Sequence, residues 1–192
     1  MHTRKQRSGT SGLGSLALAA VCAVQIGFAQ AAPIDSAKSS VAATFTQIGV
    51  DVTANFTRVE GSIDFDPAHP EAGKAQIAVP LSSFDLGDPE YNKEVEKKEW
   101  FDSARFPQAT FASSSITSGG DGKLIVQGKL TIKGKALDVS LPVVVARDGN
   151  TETFTGQLPI KRLYFGIGEG EWSDTDTLAD KVVVKFKIVT SP

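Results

Sequence analysis

Along residues 181–189 the chain reads KVVVKFKIV, and apolar and polar side chains alternate. Val182, Val184, Phe186 and Ile188 share one face, and Lys181, Lys185 and Lys187 share the other. A period of two marks a strand with one side on a core and the other in water. Residues 123–133, KLIVQGKLTIK, repeat the pattern with Leu124, Val126, Leu130 and Ile132 in phase. Residues 137–145 do so with Val139, Leu141 and Val143. Further strands are expected over residues 41–48, 51–65, 74–81, 110–117 and 151–165, which brings the count to eight.

Turn signals separate these runs: Asp66-Pro67 with Pro70 and Gly73, Gly119-Gly120-Asp121-Gly122, Lys133-Gly134 and Asp148-Gly149-Asn150. Asp121-Gly122 and Lys133-Gly134 suit tight hairpins, because glycine tolerates positive φ. One segment breaks the rhythm. Residues 89–100, PEYNKEVEKKEW, hold strong helix formers, with Asp88 placed as an N-cap and Pro89 at the first helical position. This short helical insertion falls between the third and fourth strands. It runs directly into EWFDSARFPQATF (residues 99–111), where four of thirteen residues are aromatic.

Eight antiparallel strands suggest a β-sandwich or a closed up-and-down barrel. Long strands favour closure, which removes exposed edges. An eight-stranded barrel can be filled by its own side chains or hold one small ligand, and the pattern does not choose between them.

The first residues stand apart from this scheme. MHTRKQRS is basic, residues 13–28 are apolar, and Ala29-Gln30-Ala31 places small residues where a signal peptidase reads. Residues 1–31 are therefore expected to be a secretory signal peptide, with residues 32–192 as one barrel domain in the periplasm or outside the cell. The apolar run is short for a membrane span and is interrupted by Gln25. Cleavage removes Arg4, Lys5 and Arg7 and takes the formal charge from −2 to −5. It also removes Cys22, the one cysteine, so the fold must rest on its core without disulfides. The acidic balance argues against nucleic acid as a partner.

Catalytic candidates are few. The chain beyond the leader has a single histidine, His69, between prolines in a turn, which reads as a solvated loop residue. With no second histidine and no cysteine, no soft metal site can be assembled. Gly166-Ile167-Gly168-Glu169-Gly170 lacks the Lys-Ser/Thr and the helix that a phosphate loop needs. No enzymatic activity and no cofactor are expected. Apolar candidates are many: Phe45, Phe56, Phe65, Phe111, Phe154 and Phe186 fall on inward phases, with Ile77, Val79, Leu130, Leu158 and Ile160. Singly, each reads as core filler. As a set they would line a tunnel for a long apolar ligand.

Four motifs in order carry a resemblance: GSIDFDP (residues 61–67), VPLSSFDLGDPEYNKEVEKKEWFDSARFPQATFASSSI (79–116), VQGKLTIKGKALDVSLPV (126–143) and RLYFGIG (162–168). Together they resemble the YceI-like, polyisoprenoid-binding family of bacterial secreted proteins. The resemblance implies an all-β, eight-stranded antiparallel lipocalin-like barrel. Such a barrel would hold a long isoprenoid or quinone-like amphiphilic lipid in an internal hydrophobic tunnel, as carrier or store. Phe45, Phe56, Phe84, Trp100, Phe101, Phe106, Phe111, Phe154 and Phe165 are the candidate ligand-binding residues, placed by matching motif or inward phase. Trp100, Phe101 and Phe106 would cap the tunnel. Many family members carry an Arg-Asp and a His-Leu pair after the third strand. This chain has GDPEYNKEVEKKEW there, so no head-group role carries over from that pair. Tyr91, Asn92 and Arg58 are the remaining head-group candidates. Transient membrane contact and a dimer are both compatible with this reading. The alternative is an envelope interaction module that presents the barrel surface to a membrane or respiratory partner.

Overall fold

The computed structural model describes Met1 and residues 31–190. The expected leader and Cys22 lie outside the described residues, Met1 and Ala31 excepted. The strands are β1 (Ala32–Pro33), β2 (Ser40–Gln47), β3 (Val50–Phe56), β4 (Glu60–Asp64), β5 (Lys74–Pro80) and β6 (Phe84–Asp85). After the helix α1 (Pro89–Glu94) come β7 (Gln108–Gly120), β8 (Lys123–Ile132), β9 (Lys135–Asp148), β10 (Thr151–Lys161) and β11 (Leu178–Thr190). All belong to one antiparallel sheet in the order β1-β4-β5-β7-β8-β9-β10-β11-β2-β3-β6.

β3 and β4 are consecutive in the chain yet sit near opposite ends of that order. The chain can cross from one end to the other within Thr57, Arg58 and Val59 only because the sheet is curled. A second stitch lies where the backbone after β1 meets β11, through an Ile34–Thr190 bridge and an Asp35 N–H donated to the Val189 carbonyl at 2.8 Å. The result is a barrel-like half-barrel of eleven strands rather than the eight expected. The difference has three sources. The expected strand over residues 51–65 breaks into β3 and β4, and the two-residue β1 and β6 carry no readable periodicity.

The break resolves a conflict of phase. Ala54 and Phe56 face inward at even positions, whereas Ile63 and Phe65 face inward at odd ones. A single straight strand cannot do both. Gly61, at φ 132°, completes the crossing: a Cβ there would lie 2.0 Å from the Gln76 carbonyl oxygen. In β7 an irregularity between Ser113 and Ser115 shifts phase again, so that Phe111 and Ile116 both face the interior.

The hairpin turns follow their chemistry. Asp121-Gly122, Lys133-Gly134 and Ile48-Gly49 each place two successive residues at positive φ, the backbone that a tight antiparallel turn requires. The helix is shorter than its signal. Asp88 caps α1 by accepting from the Glu90 N–H at 2.7 Å, and Pro89 stands at the first position. It ends at Glu94 rather than Trp100, because the chain then folds back on itself. Phe101 donates its N–H to the Val95 carbonyl, Asp102 to Lys97 and Ser103 to Glu96, with Asp102 at φ 50°. That reversal turns Trp100 and Phe101 toward the sheet.

Candidate functional site

Inward residues of the wall strands enclose a cavity of about 450 Å³ with an almost wholly apolar lining. Its lower part is walled by one buried cluster that includes Val41, Ile63, Ile116, Val126, Leu141, Phe154 and Ile188. Phe65 and Phe154 meet there edge to face, with ring centroids 5.5 Å apart. Two inward positions that look like gaps in the hydrophobic pattern make room for rings. A Cβ on Gly128 would lie 2.5 Å from the Phe111 ring, and one on Gly156 would lie 2.6 Å from Phe186. Glycine at these places leaves room for an aromatic ring from the neighbouring strand.

The mouth is built from strand ends and loops. An aromatic triad of Phe56, Phe84 and Phe101 closes one side, with centroids 5.6–6.4 Å apart. On the other side Trp100 packs on Trp172 at 5.3 Å. Between these loops lies Arg162, only 2 % exposed. Its Nε donates to the Ala179 carbonyl, Nη1 to those of Ile167 and Gly168, and Nη2 to those of Trp172 and Leu178, at 2.7–3.1 Å. All five guanidinium N–H groups are thus used on backbone, and one side chain gathers the whole segment from 167 to 179. Burial lowers the Arg162 pKa below the ordinary arginine value, and the charge of Asp180 opposes the shift. Gly168 allows this packing: its φ is 71°, and a Cβ would lie 2.5 Å from Nη1 and 3.3 Å from Trp100 Cζ3.

Lys133 ties the mouth together from outside the lining. From the β8–β9 turn its Nζ donates to the Lys98 carbonyl at 2.6 Å, the Gly166 carbonyl at 2.5 Å and Glu169 Oε2 at 3.3 Å. Gly168 and Glu169 also donate their N–H groups to the Glu99 carbonyl at 2.8 and 2.9 Å. The short helix is held by Asp85, which accepts from Asn92 Nδ2 at 3.0 Å and from the Gly87 N–H at 2.8 Å. These two bonds, Asn92's first, hold the Asp85 carboxyl below its usual pKa.

Of the nine residues singled out from sequence, Phe45, Phe56, Phe84, Trp100, Phe101, Phe111 and Phe154 border the cavity. Phe106 and Phe165 do not. Phe106 lies outside the lining with its ring against Gly134, 2.8 Å from where a Cβ would sit, and with the Arg105 guanidinium 5.1 Å from its centroid. It braces the hairpin turn instead of capping the cavity. Phe165 is fully buried in a satellite cluster with Ile132 and Ile160. Its strand pairing stops at Lys161, where a 3-10 turn over Arg162–Phe165 begins, so the strand phase no longer governs its direction.

Of the head-group candidates, Tyr91 lines the cavity and is 59 % exposed at its rim. Asn92 is engaged with Asp85 and the Leu86 N–H, and Arg58 is exposed at the β3–β4 crossing. His69 is exposed and pairs with Asp66 Oδ2 at 3.1 Å, which raises its pKa. Leu86, Val95, Ile167, Trp172 and Arg162 also line the site and were not singled out from the sequence. Arg162 had a legible signal, since it continues the inward phase of Phe154, Leu158 and Ile160. Trp172 had none beyond being the second tryptophan.

Comparison with known proteins places this geometry. A YceI-like domain model matches residues 33–190. The crystal structure of BcnA from Burkholderia cenocepacia superposes with a TM-score of 0.80 at 49% identity, covering 82% of this chain and 99% of that one. A domain from Saccharophagus degradans, described as polyisoprenoid binding and implicated in plant cell wall breakdown, gives 0.68 at 20% identity over 85% of this chain and 100% of its own. A UPF0312 protein of Shewanella oneidensis is 27% identical over 140 residues, which are 69% of this chain and 73% of that protein. A UPF0312 protein of Yersinia pestis is 33% identical over 96 residues, half of each chain.

Proposed function

The chain belongs to the YceI-like domain family, and we propose that it is a periplasmic or secreted binding protein that holds a long isoprenoid or quinone-like lipid. The observation that carries this reading is the apolar cavity inside the curled sheet, with Phe45, Phe111 and Phe154 on its walls and Trp100 and Trp172 at its mouth. Hydrocarbon burial in such a space is favourable by about 0.8 kcal/mol per CH₂, so a prenyl chain binds with few polar contacts. One methylene adds only roughly 1–3 kcal/mol to discrimination, so chain length is read loosely. The polyisoprenoid-binding description of the Saccharophagus neighbour supports the same ligand class. The periplasmic or secreted location rests on the leader pattern of residues 1–31.

Carriage requires the lipid to leave and enter a bilayer. Ile48 and Val50, 73 % and 63 % exposed, stand at the tip of the β2–β3 hairpin, beside Gln47 in the cavity lining. Together with Tyr91 they would meet a membrane surface transiently during loading. The test is purification under native conditions from the source organism, followed by extraction and mass spectrometry. An isoprenoid lipid near one per chain is the expected result. No recovered lipid, and no uptake of added prenyl lipids, overturns the proposal. Phe111→Ala tests the alternative of a surface module: lost partner binding with lipid retained would favour that reading.

A further inference from the structure

The outer side of the sheet is uneven in charge. On β11, Val182, Val184, Phe186 and Ile188 line the cavity, which leaves Lys181, Lys185 and Lys187 facing out. On β10, Phe154, Leu158 and Ile160 face in, and Lys161 faces out directly opposite Lys181. All four lysines are exposed, and none has an ion-pair partner among the described residues. Gln157 stands opposite Lys185 and Thr155 opposite Lys187, and the adjoining β2 presents only Ser40, Ala42, Thr44 and Thr46. The face made by β10, β11 and β2 therefore holds four cations and no carboxylate. Composition does not produce this, because the chain has 22 acids against 20 lysines and arginines.

Folding does not favour the arrangement either. Like charges directly opposite on neighbouring strands repel, and Lys161 and Lys181 are such a pair. An external anionic surface would offset that repulsion. Lys181 and Lys187 stand about 20 Å apart at the usual rise of a strand, a footprint too broad for one small ion. The chemistry of the face narrows the partner further. Protein interfaces draw on aromatic and arginine anchors and are poor in lysine. Nucleic-acid surfaces add arginine forks and stacking rings. The outward positions of these three strands carry no arginine and no aromatic ring. Lysine is a compact, hydrated point charge on a flexible stem. Such charges suit mobile anionic head groups, which impose no fixed geometry.

We propose that the outer face of β10, β11 and β2 docks this protein on an anionic phospholipid bilayer, an assignment that rests on the lipid-binding reading above. Residues 169–180, at the mouth, hold five acids and no base. An anionic bilayer repels those loops and attracts the wall, so the molecule lies on its side. β2 belongs to the docked face and leads into the hairpin tip with Ile48 and Val50, which meets the surface edge-on.

The test is co-sedimentation of the purified protein with vesicles of phosphatidylcholine, alone or mixed equally with phosphatidylglycerol. Binding is expected only to the mixed vesicles, and it is lost as salt rises from about 0.02 to about 0.5 M. Each lysine contributes about fivefold to the partition coefficient, so Lys161→Gln with Lys181→Gln weakens binding about 25-fold. Lys185→Gln with Lys187→Gln does the same, and the fourfold variant stays in solution. Lys123→Gln with Lys129→Gln, an equal change of net charge on β8, has a much smaller effect. Thermal melting of the fourfold variant is unchanged or raised, because the Lys161–Lys181 repulsion is gone. Equal binding to both vesicle types overturns the proposal. So does a fourfold variant that binds like the wild type, or a β8 variant that loses as much as either pair. A DNA duplex bound as tightly as the mixed vesicles overturns the assignment of a bilayer as partner. Lipid extracted from the same preparations separates the two readings. Recovered lipid without vesicle binding sinks only this proposal, whereas vesicle binding without any lipid in the cavity sinks only the carrier.

Discussion

The wall and the mouth of this molecule are held by different means. The wall strands β7 to β11 share long antiparallel ladders, so their order is spread over many backbone bonds and inward apolar contacts. The segments from 95 to 106 and from 162 to 177 have no ladder. They are positioned by a few side chains, Arg162, Lys133 and Asp174, each making several bonds to backbone or to neighbouring side chains, and Asp85 does the same for the short helix before them. A distributed structure loses little when one contact goes, whereas a concentrated one loses a loop. The mouth of the cavity is built in the second way.

Arg162→Met breaks that contrast most sharply. It removes five donors and leaves five carbonyls around a buried site without partners, so unfolding stability should drop by roughly 3–5 kcal/mol. Urea denaturation monitored by circular dichroism measures it, and a loss below 1 kcal/mol would mean that the loop carbonyls find other partners. Arg162→Lys should recover only part, because three donors replace five.

Gly128→Ala strikes the wall instead. The new Cβ would stand 2.5 Å from both the Ala112 carbonyl oxygen and the Phe111 ring. A strand shift costing about 1–3 kcal/mol is expected, with Phe111 displaced into the cavity and lipid capacity reduced. Unchanged stability and unchanged prenyl-lipid uptake would show that the wall yields more easily than its ladders suggest.

Lys133→Met keeps the stem but cuts the three-way tie. Stability should fall by about 1–2 kcal/mol. More diagnostic is hydrogen exchange: amides over residues 95–106 and 162–172 should lose protection, while β8, β9 and β10 keep theirs. Equal acceleration in both regions would erase the distinction between wall and mouth.

Acid sharpens the comparison with the smallest effect. Asp85 and Asp174 have pKa values below the usual 3.8. Asp85 is lowered first by Asn92, and Asp174 first by Thr177, whose hydroxyl donates to it at 2.6 Å. A carboxylate with a depressed folded pKa stabilises above its unfolded value, and that contribution is lost as pH falls through the folded value. The mouth should therefore loosen only below about pH 3.8, before the wall unfolds. Exchange rates near α1 and residues 174–177, followed on acidification, should rise ahead of the global transition. Asp85→Asn should blunt the change near α1.

Much of this was legible beforehand, for a physical reason. Alternation in residues 123–133, 137–145 and 181–189 reports which side of a strand meets water, and that is a local property. The Asp88-Pro89 start of α1 and the paired positive-φ turns are also local, since each depends on a few neighbouring dihedrals. The four motifs led to the family, and inward phase or motif brought seven of nine aromatic candidates to the cavity lining. Phe165 escaped because its strand had already ended, and Phe106 because nothing near it in sequence shows that Gly134 lies beneath its ring.

By itself, then, the sequence determined the all-β class, most strand faces, the turns and the family. Tertiary structure alone decided that residues 51–65 break to cross the sheet, that Gly128 and Gly156 are seats for distant rings, and that Arg162 organises a loop instead of meeting a ligand's charge. Those outcomes depend on which atoms arrive from far along the chain. A glycine among inward hydrophobics or an arginine at a strand's end has no meaning until its neighbours from other parts of the chain are in place.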